Sequence, residues 1–165
     1  MTAFKLWLVL MALRPPYGEG EPLGDRALRL WTVATAIDDA ALETDYPGEP
    51  DELRAALLAV GYYESRYSRR IHAGDCHAHE CDDGLAVGPW QVWPLWYDVE
   101  QSRGVGTSWD ATFVSARAAA QALADGRRRC GTLDGALAAY ATGTSCDWHG
   151  ANRRARLAFW VGLIL

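Results

Sequence analysis

The chain has 165 residues, half of them hydrophobic, with eight tryptophans and a formal net charge of -5. That size and apolar content fit one compact domain spanning the chain and exclude a disordered tail. An acidic chain whose only lysine is Lys5 lacks the long-range attraction of a basic one, so neither nucleic acid nor an anionic membrane is expected as a partner.

The first 13 residues carry Lys5 and then the apolar run from Leu6 to Leu13. The run is too short to span a bilayer, so no stable membrane insertion is expected. It resembles the apolar middle of a signal peptide, but no small-x-small cleavage pattern precedes Pro15 and Pro16. The reading is a buried first helix ended by the prolines, with a leader peptide as the alternative. Residues 24–42 follow as a helix with Leu23, Ala27, Leu30, Trp31, Ala34, Ile37 and Ala41 on its inner face. A loop rich in Pro, Gly and acidic residues, 45–52, leads into the next helix.

That helix holds the most informative residue. Leu53, Leu57, Val60, Glu64 and Tyr67 follow the 4, 3, 4, 3 spacing that lines side chains along one helical stripe. Glu64 sits where an apolar residue is expected. A carboxylate there is partly stripped of water, which disfavours its charged form and lets it hold a proton for donation. The plainer alternative is a helix that rotates or frays at Gly61 and leaves Glu64 solvated.

Residues 68–106 show no sustained helical period, and a stretch that long between helices in a small domain points to function. Its Trp90, Trp93 and Trp96, with Trp109, Trp148 and Trp160, either fill a core or line a groove that stacks on flat ligands such as sugar rings. Ser108 caps a helix over 109–124, closed by Gly126; Thr132 caps 133–142, closed by Gly143; a last helix covers 152–163. Arg127-Arg128-Arg129 and Arg153-Arg154-Ala155-Arg156 read as solvated or dipole-matching helix ends.

Four cysteines fall in two neighbourhoods, which suggests Cys76 with Cys81 and Cys130 with Cys146, although four cysteines allow three connectivities. Oxidised, they place the chain outside a reducing cytosol. The segment 72–81 also contains His72, His77 and His79, zinc-ligand types whose spacing matches no common finger or knuckle. A disulfide loop is preferred, with no metal and no cofactor expected.

Three pieces, Glu64-Ser65, Gly88-Pro89-Trp90-Gln91 and Ala139-Tyr140-Ala141-Thr142-Gly143, together resemble the lysozyme-like lytic transglycosylases over residues 51–143. That family's pattern is Glu-Ser, then Gly-Leu-Met-Gln, then Ala-Tyr-Asn-x-Gly. The resemblance implies a mainly α, lysozyme-like single domain (goose-lysozyme or SLT type) with a long loop or small β region after the catalytic helix. It implies an enzyme that cuts peptidoglycan glycan strands outside the cytoplasm or from a phage virion, with an envelope or virion protein as a possible partner. Glu64 would be the catalytic acid and then base, and Tyr140 would orient it. Ser65, Gly88, Trp90 and Gln91 would surround the substrate, with Trp90 as the apolar wall. Ala141 departs from the family's Asn, and Pro89-Trp90 from its Leu-Met. The alternatives are a lysozyme-type muramidase, in which Asp75, Asp82 or Asp83 supplies a second carboxylate, and a noncatalytic sugar-binding or structural module.

Overall fold

The computed structural model describes residues 2–15, 20–73, 75, 81, 85–93, 109–147 and 151–165, and at 109 and 110 the backbone alone. Within them the protein is mainly α: α1 (Thr2–Ala12), α2 (Leu23–Glu43), α3 (Pro50–Ser65), the short α4 (Arg69–His72), α5 (Trp109–Cys130), α6 (Leu133–Thr142) and α7 (Ala151–Gly162). No helix among the described residues is long and apolar enough to cross a membrane.

α3 is the centre of the arrangement. Pro50 at its start and Asp51 and Glu52 in its first turn suit the positive end of a helix dipole. Every residue from Leu53 to Gly61 is buried, because α3 packs on α2 and α7 and also touches α5 and α6. α1 lies on α2, and α5 packs against both α2 and α6. The core runs continuously from Leu6 and Leu10 through Leu30, Ile37, Leu57 and Leu58 to Leu123, Leu137 and Val161.

Helix α3 does not fray at Gly61; it continues to Ser65 and stops when Arg66 and Tyr67 both adopt left-handed backbone, φ 53° and 51°. Tyr67 is therefore not on the helical stripe. Its chain turns back, and its hydroxyl donates to the Leu58 carbonyl at 2.9 Å. The ring lies against Gly61, where any Cβ would collide with it. Burial pushes the Tyr67 phenol well above its ordinary range, so it stays a neutral donor.

Two helical readings shift. The buried face of α2 is Leu30, Val33, Ala34, Ile37, Ala40 and Ala41, joined by Arg26 and Arg29, while Leu23 and Trp31 are exposed. Trp31 instead packs edge-on against Trp7 of α1 at 6.2 Å. Helix α5 runs through Gly126 to Cys130, since Gly126 serves helix packing rather than termination: its missing side chain lets α6 approach, with Ala136 backbone 3.2 Å from where a Cβ would stand. α6 begins and ends as expected, Thr132 accepting from the Gly135 amide at 3.0 Å and Gly143 following the last turn with φ 81°.

Candidate active site

The last turn of α3 delivers Glu64 to a groove of about 920 Å³ whose wall also includes Gln91, Trp93, Arg129, Tyr140 and Arg154. Three of the six residues singled out from sequence, Glu64, Gln91 and Tyr140, thus come together from segments far apart in the chain. The other three stand behind them.

Gly88-Pro89-Trp90-Gln91 is a tight turn. Val87 and Val92 bridge it in antiparallel fashion through hydrogen bonds of 2.9 and 3.0 Å, and the Gln91 amide closes it on the Gly88 carbonyl at 3.1 Å. Pro89 holds the second turn position, where its fixed φ is preorganised. Gly88 has φ 71° and sits so close to Ser115 of α5 that no side chain fits. Trp90 points into the core rather than the groove: it is fully buried, its indole N–H donates to the Leu57 carbonyl at 2.9 Å, and its ring meets Tyr67 edge-on. The indole on the groove wall is Trp93, half-buried, beside Val92. Gln91 lines the groove, and its side-chain amide donates to the Gly88 carbonyl at 2.9 Å.

Ser65 is buried as well. Its hydroxyl donates to the Gly61 carbonyl and accepts from the Tyr67 amide, each at 3.0 Å, which closes the C-terminal end of α3. That places it as a terminator of α3, off the groove wall. Tyr140 donates its hydroxyl to the Trp90 carbonyl at 2.6 Å, fastening the turn to α6.

Glu64 is partly buried, its side chain 22% exposed, and its carboxylate is paired with the guanidinium of Arg154, 9% exposed, on α7. Arg154 also lies over the Tyr63 ring at 5.8 Å. Arg153 and Arg154 fall in the first turn of α7, the positive end of its dipole, so the dipole-matching reading holds for Arg127, Arg128 and Arg129 in the last turn of α5 but not here. Cations at the wrong end of a helix were the sequence signal for a partner elsewhere. Asp125 of α5 also lines the groove and is engaged by Gln121 and Arg128 at 2.8 and 3.1 Å. Asp75 is exposed and is not among the groove residues; Asp82 and Asp83 lie outside the described residues.

The Cys130–Cys146 disulfide forms as expected, tying the end of α5 to the segment after α6 and so bracing Thr142, Gly143 and Thr144 on the groove wall. Cys81 is disulfide-bonded, while Cys76, His77 and His79 lie outside the described residues. His72 is buried with Nε2 hydrogen-bonded to Thr112 at 2.7 Å; burial first, and Arg29 second, push it down to about 3, against a smaller opposite pull from Glu21. Among the described residues, no group of three or more His, Cys, Asp or Glu side chains is placed to hold a metal ion.

Comparison with protein-family models, curated proteins and solved structures finds no match to this chain.

Proposed function

We propose that the protein is a peptidoglycan lytic transglycosylase of lysozyme-like fold, cutting the bond from N-acetylmuramic acid to N-acetylglucosamine with Glu64 as its single acid and base. The observation that carries this reading is the convergence of Glu64, Gln91 and Tyr140 on one groove of about 920 Å³.

Glycosidic cleavage needs a proton on the leaving oxygen as the C1–O bond breaks. Glu64, in a partly dry setting at a helix end, delivers it. The resulting carboxylate then takes the proton of the sugar's own C6 hydroxyl, whose oxygen bonds to C1 and closes a 1,6-anhydro ring. One carboxyl group suffices because no water has to be activated. Tyr140 donates its hydroxyl proton to the Trp90 carbonyl and so holds the turn that carries Gln91 on the wall it shares with Glu64. Trp93 offers an apolar face to a sugar ring.

The groove favours one second reading. Asp125 shares the wall with Glu64 and would serve a muramidase as the carboxylate that holds water. The first test is Glu64→Gln in the full chain. The account expects soluble fragments from purified sacculi with the native chain, and a loss of about 100- to 10,000-fold with the variant, whose helical circular dichroism shows it still folded although the pair with Arg154 is lost. Lysis that persists in Glu64→Gln removes Glu64 from the chemistry.

A further inference from the structure

The pairing of Glu64 with Arg154 sets a condition on the substrate. A general acid must carry a proton, yet the guanidinium on Glu64 favours the carboxylate, both by its charge and by its hydrogen bonds. Simply opening the pair does not solve the problem. The Arg154 side chain is nine-tenths buried, and taking a paired carboxylate away from a buried cation is unfavourable. The low-cost way to release Glu64 is to exchange one anion for another.

We infer that Arg154 is the positioning residue of this groove: it holds Glu64 as a carboxylate in the free protein and releases it only to a glycan that brings a carboxylate of its own to the guanidinium. This rests on the proposed glycan-cleaving role of Glu64 and narrows the substrate to anionic glycans. The other charged or titratable groups on the same wall leave this exchange to Arg154. Asp125 of α5 is engaged by Arg128, Arg129 donates to the Gly143 carbonyl at 3.3 Å, and Tyr140 of α6 donates to Trp90. Tyr63, on α3 itself, stacks under Arg154 and steadies the guanidinium plane. In peptidoglycan the carboxylate comes from the muramic lactyl group or from the peptide stem. Both present the same chemistry.

The test follows the Glu64 carboxyl signal by carbon NMR in the full-length protein, assigned with Glu64→Gln, as pH is varied. Arg154→Met is expected to raise the Glu64 titration midpoint by about one to three pH units, and Arg154→Lys to keep it near the native value. In the native protein, the disaccharide N-acetylglucosaminyl-N-acetylmuramic acid, with a free lactyl carboxylate, is expected to raise the midpoint, while chitobiose, the same scaffold without the lactyl group, does not. If the disaccharide acts only when a dipeptide extends its lactyl group, the stem is the source of the anion and the inference stands. A midpoint unmoved in Arg154→Met, or an equal rise with chitobiose, overturns it. None of these readings needs turnover, so a native chain that leaves sacculi intact counts against the proposed reaction alone.

Discussion

Two of the arginine–glutamate pairs in this molecule have the more deeply buried arginines, and they differ in where they face. Arg29 grips Glu21 with two hydrogen bonds, 2.8 and 3.0 Å, and adds a third to the Tyr67 carbonyl at 2.5 Å. With side chains 4% and 1% exposed, that pair is sealed. Arg154 and Glu64 make the same chemical pair at 9% and 22% exposure, on the wall of a groove. Burial separates a sealed staple from a pair that meets a groove. Arg29 of the sealed pair also holds the Tyr67 carbonyl, at the left-handed turn that ends α3 just after Glu64; the open pair lines the groove.

Breaking the sealed pair is the largest stability effect expected. Glu21→Gln leaves the Arg29 cation buried without its counterion and should cost about 3–5 kcal/mol in denaturant unfolding. A value near that of Glu64→Gln, which removes a carboxylate at the groove, would erase the distinction between the pairs. Next comes the Cys130–Cys146 bridge, whose sequence separation is 16. Its replacement by two alanines should cost about 3 kcal/mol and reduce sacculus cleavage through the loosened groove wall, read from melting temperature and initial rate together.

The region around the sealed pair also carries a pH signature. His72 is held neutral, its value depressed to about 3 from an ordinary 6.5, so the unfolded chain binds a proton that the folded chain refuses. Stability from this residue is complete above pH 6.5 and is lost as pH falls from there towards 3, at about 1.4 kcal/mol per pH unit. His72→Asn should flatten that slope in unfolding measured between pH 4 and 7. The smallest effect belongs to Tyr140→Phe, which removes one hydrogen bond to the turn at Trp90 and should cost about 1 kcal/mol. Its activity should fall further than its stability, because Tyr140 lines the groove and fastens the turn that carries Gln91.

What the sequence revealed depended on how local the cause was. The bounds of α6 were legible because Thr132 and Gly143 act within a few residues of themselves. Glu64 was legible because a carboxylate breaks an apolar period, and Gln91 and Tyr140 through the resemblance of their short motifs. Tyr67 was misplaced on the stripe because the helix ends two residues earlier in left-handed backbone, where its carbonyl is held by Arg29, 38 residues away. Gly126 looked like a helix stop because local pattern cannot distinguish a terminator from a crossing point. Trp90 and Ser65 were assigned to the substrate, yet the tight turn directs Trp90 inward and the helix end consumes both hydrogen-bonding sides of Ser65. Arg154 was read as part of a solvated or dipole-matching helix end because its partner lies 90 residues away; arginines at a helix start were the signal that could have marked it.

The central claim is that a single carboxyl group, Glu64, cleaves the glycan without activating water. Mass spectrometry of fragments released from purified sacculi reads this directly. The account predicts 1,6-anhydromuramic ends on the products of the native chain and none with Glu64→Gln. Fragments bearing only reducing muramic ends would contradict it and assign the groove to hydrolysis, with Asp125 as the water-holding carboxylate.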